Sequence, residues 1–252
     1  MRVSYAIAWA LIFTSSAAAL AGEKTAEPPE TLEEGVSRLE HILGRYTEQD
    51  NRQWRFVYDD EVPYTPETGK ALVIARKGIE TYGVPIRSGN LITFDTILSL
   101  QRTIFDVGSD GQRNQSREIQ NHSTTRYSLR CSPAGDWFFE TVFLSHSIPE
   151  FRDRPFQYGR VNWLADGIEL VGLGTDNFFR QEGKLVPGAY LVRKKLIREG
   201  DRLVETINLQ GYELASGPEG DILPMPDFSK PFGECFTSRL VSEELKPSIR
   251  KP

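Results

Sequence analysis

The chain has 252 residues, of which 39% are hydrophobic and 26% charged, with a formal net charge of −5. With a mean hydropathy of −0.40, these proportions belong to a soluble globular protein and exclude a multi-span membrane protein. The 21 glycines and 15 prolines are too few for a collagen-like or low-complexity chain, and the acidic balance removes nucleic acid as a main partner.

The N-terminus reads as an export signal. Met1-Arg2 supplies a positive start, residues 3–13 (VSYAIAWALIF) an apolar run, and Ala19-Leu20-Ala21 a small-residue cleavage pattern before Gly22. The run is short for a bilayer span. Residues 1–21 are therefore expected to be a cleavable signal peptide. No Cys follows the small residues, so a lipid anchor is not supported. No second long apolar stretch exists, so no stable membrane span should remain after cleavage. The expected location is the periplasm or the extracellular space. In such an oxidising compartment Cys131 and Cys235 are a candidate disulfide. Two Cys and three scattered His form no zinc pattern.

Residues 22–30 (GEKTAEPPE) read as a flexible leader. A helix follows over about residues 32–48. Thr31 and Glu34 form a capping box, and Leu32, Val36, Leu39, Leu43 and Tyr46 fall on one face.

From residue 54 the pattern is that of strands. Trp54, Phe56 and Tyr58 alternate with Arg55 and Val57, whereas residues 71–75 (ALVIA) fit either a strand or a helix segment. Residues 91–94 and 97–107 continue the strands to a turn at 108–111, and the polar stretch 112–123 reads as an exposed hairpin arm or a long loop. Thr125, Tyr127, Leu129 and Cys131 alternate with polar residues and are expected to pair across Pro133-Ala134-Gly135-Asp136 with residues 137–144. Two more hairpins are predicted, 156–164 with 168–173 across Asp166-Gly167, and 189–198 with 202–209 across Glu199-Gly200-Asp201. Residues 232–241 give the last strand, and 242–252 a polar tail. Strands joined by Gly, Asp and Pro turns predict an all-β fold, mainly an antiparallel sandwich or barrel, with one N-terminal amphipathic helix. Residues 31–241 should form one domain, since no linker divides them.

Few motifs carry chemistry. There is no phosphate-binding glycine loop, no nucleophile elbow and no zinc helix, so no cofactor is expected. Gly172-Leu173-Gly174 lacks the third glycine of a dinucleotide fingerprint and reads as a strand end or bulge. Ser145-His146-Ser147 places a nucleophile beside a base, but adjacent side chains of an extended segment point to opposite faces. Asp59-Asp60-Glu61 reads as a solvated turn, and Arg193-Lys194-Lys195 as a solvated strand face. The aromatics stand out. Trp54, Trp137 and Trp163, with Tyr127 and Tyr158, are candidate ligand-binding residues that would line an apolar cavity or form a platform for sugar rings. Trp137-Phe138-Phe139 predicts a strand buried on both faces.

Export, a short helix and an aromatic-rich antiparallel sheet together resemble the small apolar-ligand carriers of the calycin or lipoprotein-carrier type. That resemblance is one of architecture, and fold does not fix function. The first expectation is a non-enzymatic binding protein for an apolar or lipid-like ligand. The alternatives are a carbohydrate-active hydrolase or lyase, with a glycan as partner, and a structural or interaction module of the cell envelope.

Overall fold

A computed structural model describes residues 25–44, 54–64, 72–147, 153, 155–181, 184–216 and 222–242. The expected signal peptide, Tyr46 of the helical stripe and tail residues 243–252 lie outside the described residues.

The helix α1 spans Leu32–Leu43. Thr31 caps it as expected, accepting the Glu34 N–H at 3.2 Å, while the Glu34 carboxylate accepts from the Glu30 N–H at 3.0 Å. Gly44, at φ +93°, ends it, donating its N–H to the Glu40 carbonyl at 2.8 Å. The strands are β1 (Trp54–Tyr64), β2 (Leu72–Tyr82), β3 (Ile86–Ser88), β4 (Leu91–Val107), β5 (Arg113–Cys131) and β6 (Trp137–His146). They continue as β7 (Pro155–Leu164), β8 (Gly167–Gln181), β9 (Lys184–Glu199), β10 (Arg202–Ser216) and β11 (Ile222–Val241).

All pair antiparallel in one sheet, in the order β1-β2-β4-β5-β6-β7-β8-β9-β10-β11, with β3 paired on β4. This is the predicted fold class, and the three expected hairpins are β5–β6, β7–β8 and β9–β10. The ambiguous residues 71–75 enter β2 from Leu72 onward. The polar stretch 112–123 is an exposed hairpin arm, in which residues 113–122 of β5 pair with β4 alone and the ladder to β6 begins at Ser123.

The sheet is curled. Its two ends share no ladder among the described residues, yet side chains of β2 and β5 bond to side chains of β9 and β10 across the concave face. Glycines permit the coiling: a methyl added at Gly78 would stand 2.1 Å from the Ser99 carbonyl oxygen, and one at Gly159 2.0 Å from that of Val171. The period-2 alternation sends Phe56, Tyr82, Phe94, Tyr127, Leu129, Trp137, Phe139, Ile168, Leu196 and Leu203 to the inner face, where they form the core. Charged residues occupy the outer face, as in the bidentate Arg126–Asp95 pair at 2.8 and 2.9 Å.

Helix α1 closes one end of the curl. Leu39, Ile42 and Leu43 are buried there, and Leu32 and Val36 pack against the same cluster. Gly35 lets the helix approach, since a Cβ at this position would lie 2.4 Å from the Trp137 ring. Residues 25–30 of the expected leader contact the sheet. Thr25 bridges to Leu164, the Ala26 N–H donates to the Trp163 carbonyl at 3.0 Å, and the Pro29 carbonyl accepts from Trp137 Nε1 at 2.9 Å. Composition misses this because the partners are remote groups.

Two further expectations need correction. The disulfide is not formed: Cys131 is a free thiol at the end of β5, its Sγ 3.4 Å from the Ser132 carbonyl oxygen. The Cys235 side chain lies outside the described residues. Asp59-Asp60-Glu61 is no turn but the middle of β1, where Asp60 pairs with Arg76 and Glu61 with Arg113.

Candidate functional site

Among the charged inner-face positions of the described residues, three converge where the alternation calls for apolar side chains. Glu80 on β2 lies in phase with Tyr82, Lys194 on β9 with Val192 and Leu196, and Glu205 on β10 with Leu203 and Ile207. The curl brings them together. Lys194 Nζ stands 2.9 Å from Glu205 Oε2 and 3.9 Å from Glu80 Oε1, and donates to the Tyr127 hydroxyl at 3.2 Å. It also lies over the rings of Tyr82 and Tyr127, 5.0 and 5.3 Å from their centroids. The Tyr58 hydroxyl donates to Glu80 Oε2 at 2.7 Å, and the Tyr82 hydroxyl donates to Glu205 Oε2. Beneath this cluster an aromatic band crosses β1, β2, β4 and β5. Phe56 meets Tyr82 edge-on at 5.4 Å, Tyr82 stacks near Phe94, and Phe94 stacks on Tyr127 at 4.8 Å.

Burial sets the electrostatics. It raises the Glu80 carboxyl to about 7, helped by the neighbouring Glu205 charge and opposed by Lys194. Burial opposes the Lys194 charge, but Glu205, Tyr127 and Glu80 outweigh it and hold the ammonium above its ordinary range. Burial, with the adjacent carboxylates, pushes the Tyr82 hydroxyl well up. Between 4.5, the ordinary carboxyl value, and about 7, the folded chain keeps a Glu80 proton that the unfolded chain has released. Glu80 thus makes stability fall as pH rises through that window and level off above it. Glu80→Gln should remove the effect. Its unfolding free energy should gain about 1–3 kcal/mol on that of the wild type between pH 4.5 and 7, measured by urea titration. Parallel pH profiles for the two proteins would contradict the assignment.

The five aromatic candidates are not all brought together. Trp137 and Trp163 meet edge-on at 5.2 Å under α1, each 2% exposed. Trp54 lies on the inner face of β1 with the Arg198 guanidinium 5.1 Å over its ring, and Arg198 also donates to the His41 carbonyl at the end of α1. Tyr127 belongs to the charged cluster. Tyr158 is out of phase with Val161 and Trp163 and lies on the outer face. Phe138 is also on the outer face, half-buried under the Arg160 guanidinium, so β6 is not fully buried on both sides as expected.

The basic run 193–195 is not a uniformly solvated face. Its middle residue is the buried hub of the cluster. Gly172-Leu173-Gly174 is strand, with a bulge following Gly174, as expected. His146 ends β6 with its ring 4.6 Å from that of Phe143. Among the described residues no group of three or more His, Cys, Asp or Glu converges to hold a metal, and no helix is long and apolar enough to cross a membrane.

Beyond the cluster, away from α1, the inner face changes. Near the helix, Ile92, Leu129, Ile168, Leu196 and Leu203 are fully buried. Farther along, Leu98, Ile104, Phe143, Ile207 and Leu209 face the same interior but are only half-buried. Arg76 and Arg102 lie at this level as register partners on β2 and β4. The interior is thus packed solid at one end, crossed by a charged cluster, and apolar but incompletely covered beyond it. No family model, curated protein or solved structure matches the chain.

Proposed function

We propose that the protein is an exported, non-enzymatic carrier that holds an apolar, lipid-like ligand against the inner face of the curled sheet. The observation that carries this reading is the half-buried apolar surface of Leu98, Ile104, Phe143, Ile207 and Leu209 on a concave face whose other end is fully packed. An apolar chain laid there removes surface from water, at about 25 cal/mol per Å². The outer-face ion pairs support an aqueous exterior. A sugar platform would need open tryptophan faces, whereas Trp137 and Trp163 are covered by α1. Glu80 and Glu205 share one ammonium rather than facing each other across a groove, an arrangement for holding the sheet curled and not for glycoside cleavage.

Protein expressed with its own N-terminus and recovered from the exported fraction tests the reading. Native mass spectrometry should show a polypeptide lacking residues 1–21 with a bound apolar species that solvent extraction releases. A neutral fluorescent probe such as N-phenyl-1-naphthylamine should bind the emptied protein. Absence of both the bound species and probe binding would overturn the proposal.

A further inference from the structure

Arg102 is the one inner-face charge of the described β2 and β4 segments without a counter-charge. It lies between Leu100 and Ile104 on the concave side of β4, half-buried. Its Nε is shut off from water and, among the described residues, has no hydrogen-bond partner. Arg76, its register partner, is engaged elsewhere. Arg76 makes a two-pronged pair with Asp60, one arm at 2.8 Å, and lies 5.1 Å over the Tyr58 ring. Two guanidinium groups therefore stand side by side, with the Asp60 carboxylate on the β1 side of Arg76, across from Arg102. Burial lowers the Arg102 pKa and the Arg76 charge lowers it further, opposed by Tyr58 and by no carboxylate. Guanidinium cannot shed its proton at any physiological pH, so the cost of an uncompensated charge persists in the empty protein. Its planar fork matches a carboxylate or phosphate in two-point contact.

We propose that Arg102, with Arg76 beside it, receives the anionic head of the bound amphipath, a carboxylate or a phosphate, whose apolar chain runs along Leu98, Ile104, Ile207 and Leu209. The inference rests on the carrier reading and specifies its ligand class. The half-buried apolar side chains supply the site for the tail, and the unmatched guanidinium supplies the site for the head. Arg76 contributes field rather than contact, because Asp60 already occupies its fork.

The test uses three probes with one chain and different heads: dodecanoate, dodecyl phosphate and dodecanol. Each competes with N-phenyl-1-naphthylamine on the mature protein, below its aggregation threshold. Wild type should bind at least one of the anions tenfold or more tighter than dodecanol, and the stronger anion distinguishes carboxylate from phosphate. Arg102→Gln should reduce that preference to less than twofold while leaving dodecanol affinity unchanged. In the ligand-free state it should melt no lower than wild type, since it removes an unmatched charge. Equal affinity of wild type for all three probes, survival of the preference in Arg102→Gln, or a lowered melting temperature of that variant would overturn the assignment and leave the carrier standing. If none of the three competes in wild type, both readings fall.

Discussion

Lys194→Met should cost about 3–5 kcal/mol of folding stability, the loss expected when one partner of a buried charge cluster is removed. Lys194 is 8% exposed in its side chain and Glu205 1%, so neither can recruit water in compensation. Without the ammonium, Glu205 keeps the Tyr82 hydroxyl and Glu80 that of Tyr58, but Glu205 is left as a buried charge without a cation and Glu80 is driven further toward its neutral form. The effect should reach beyond the cluster. Lys194 ties β9 to β2 and β5 across the concave face, so its loss removes restraints on the curl as well as a charge. Urea denaturation measures the loss. Restoring neutrality with Glu80→Gln and Glu205→Gln in the same chain should recover more than half of it, because the glutamine carbonyls still accept from the two tyrosines. A loss below about 1 kcal/mol in Lys194→Met would mean that the cluster does not hold the sheet.

Gly35 offers a prediction in which two principles oppose each other in sign. Glycine in the middle of a helix is worth about 1 kcal/mol less than alanine, so propensity alone makes Gly35→Ala stabilising. Packing says the reverse. The added carbon would lie 2.4 Å from Trp137 Cη2, 2.9 Å from Cζ2 and 3.1 Å from Ile92 Cδ1. Trp137 cannot easily turn away, because its Nε1 donates to the Pro29 carbonyl and its ring abuts Trp163. The helix must lift, uncovering Leu39, Ile42 and Leu43. Gly35→Ala should therefore destabilise, and Gly35→Val should cost about 2–3 kcal/mol. Tryptophan emission should shift to the red as the Trp137–Trp163 pair meets water. Ser37→Ala, on the exposed side of the same helix, serves as the control. A Gly35→Ala protein more stable than wild type would place the helix elsewhere.

Much of the fold was legible because hairpins leave local marks. Asp166-Gly167 and Glu199-Gly200-Asp201 sit between alternating runs, and each joins neighbours in the sheet. The charged cluster was legible only by phase. Lys194 looks like the centre of a basic patch until it is counted with Val192 and Leu196, two residues either side, and the same count places Glu205 between Leu203 and Ile207. Tyr158 fails the count in the other direction, an odd number of residues from Trp163. The unmatched charge of Arg102 was not legible, since it depends on Arg76 being engaged by Asp60 from another strand. The contacts of residues 25–30 with the sheet were hidden for the same reason: their partners are remote in sequence.

The most direct measurement of the carrier proposal is methyl NMR with a bound apolar chain carrying a nitroxide spin label. Methyl signals from Leu98, Ile104, Ile207 and Leu209 on the concave face should broaden. Signals from Ile97 and Ile86, 54% and 61% exposed, should be spared. Broadening of Ile97 and Ile86 with the concave-face methyls untouched would place the ligand on the outside and contradict it.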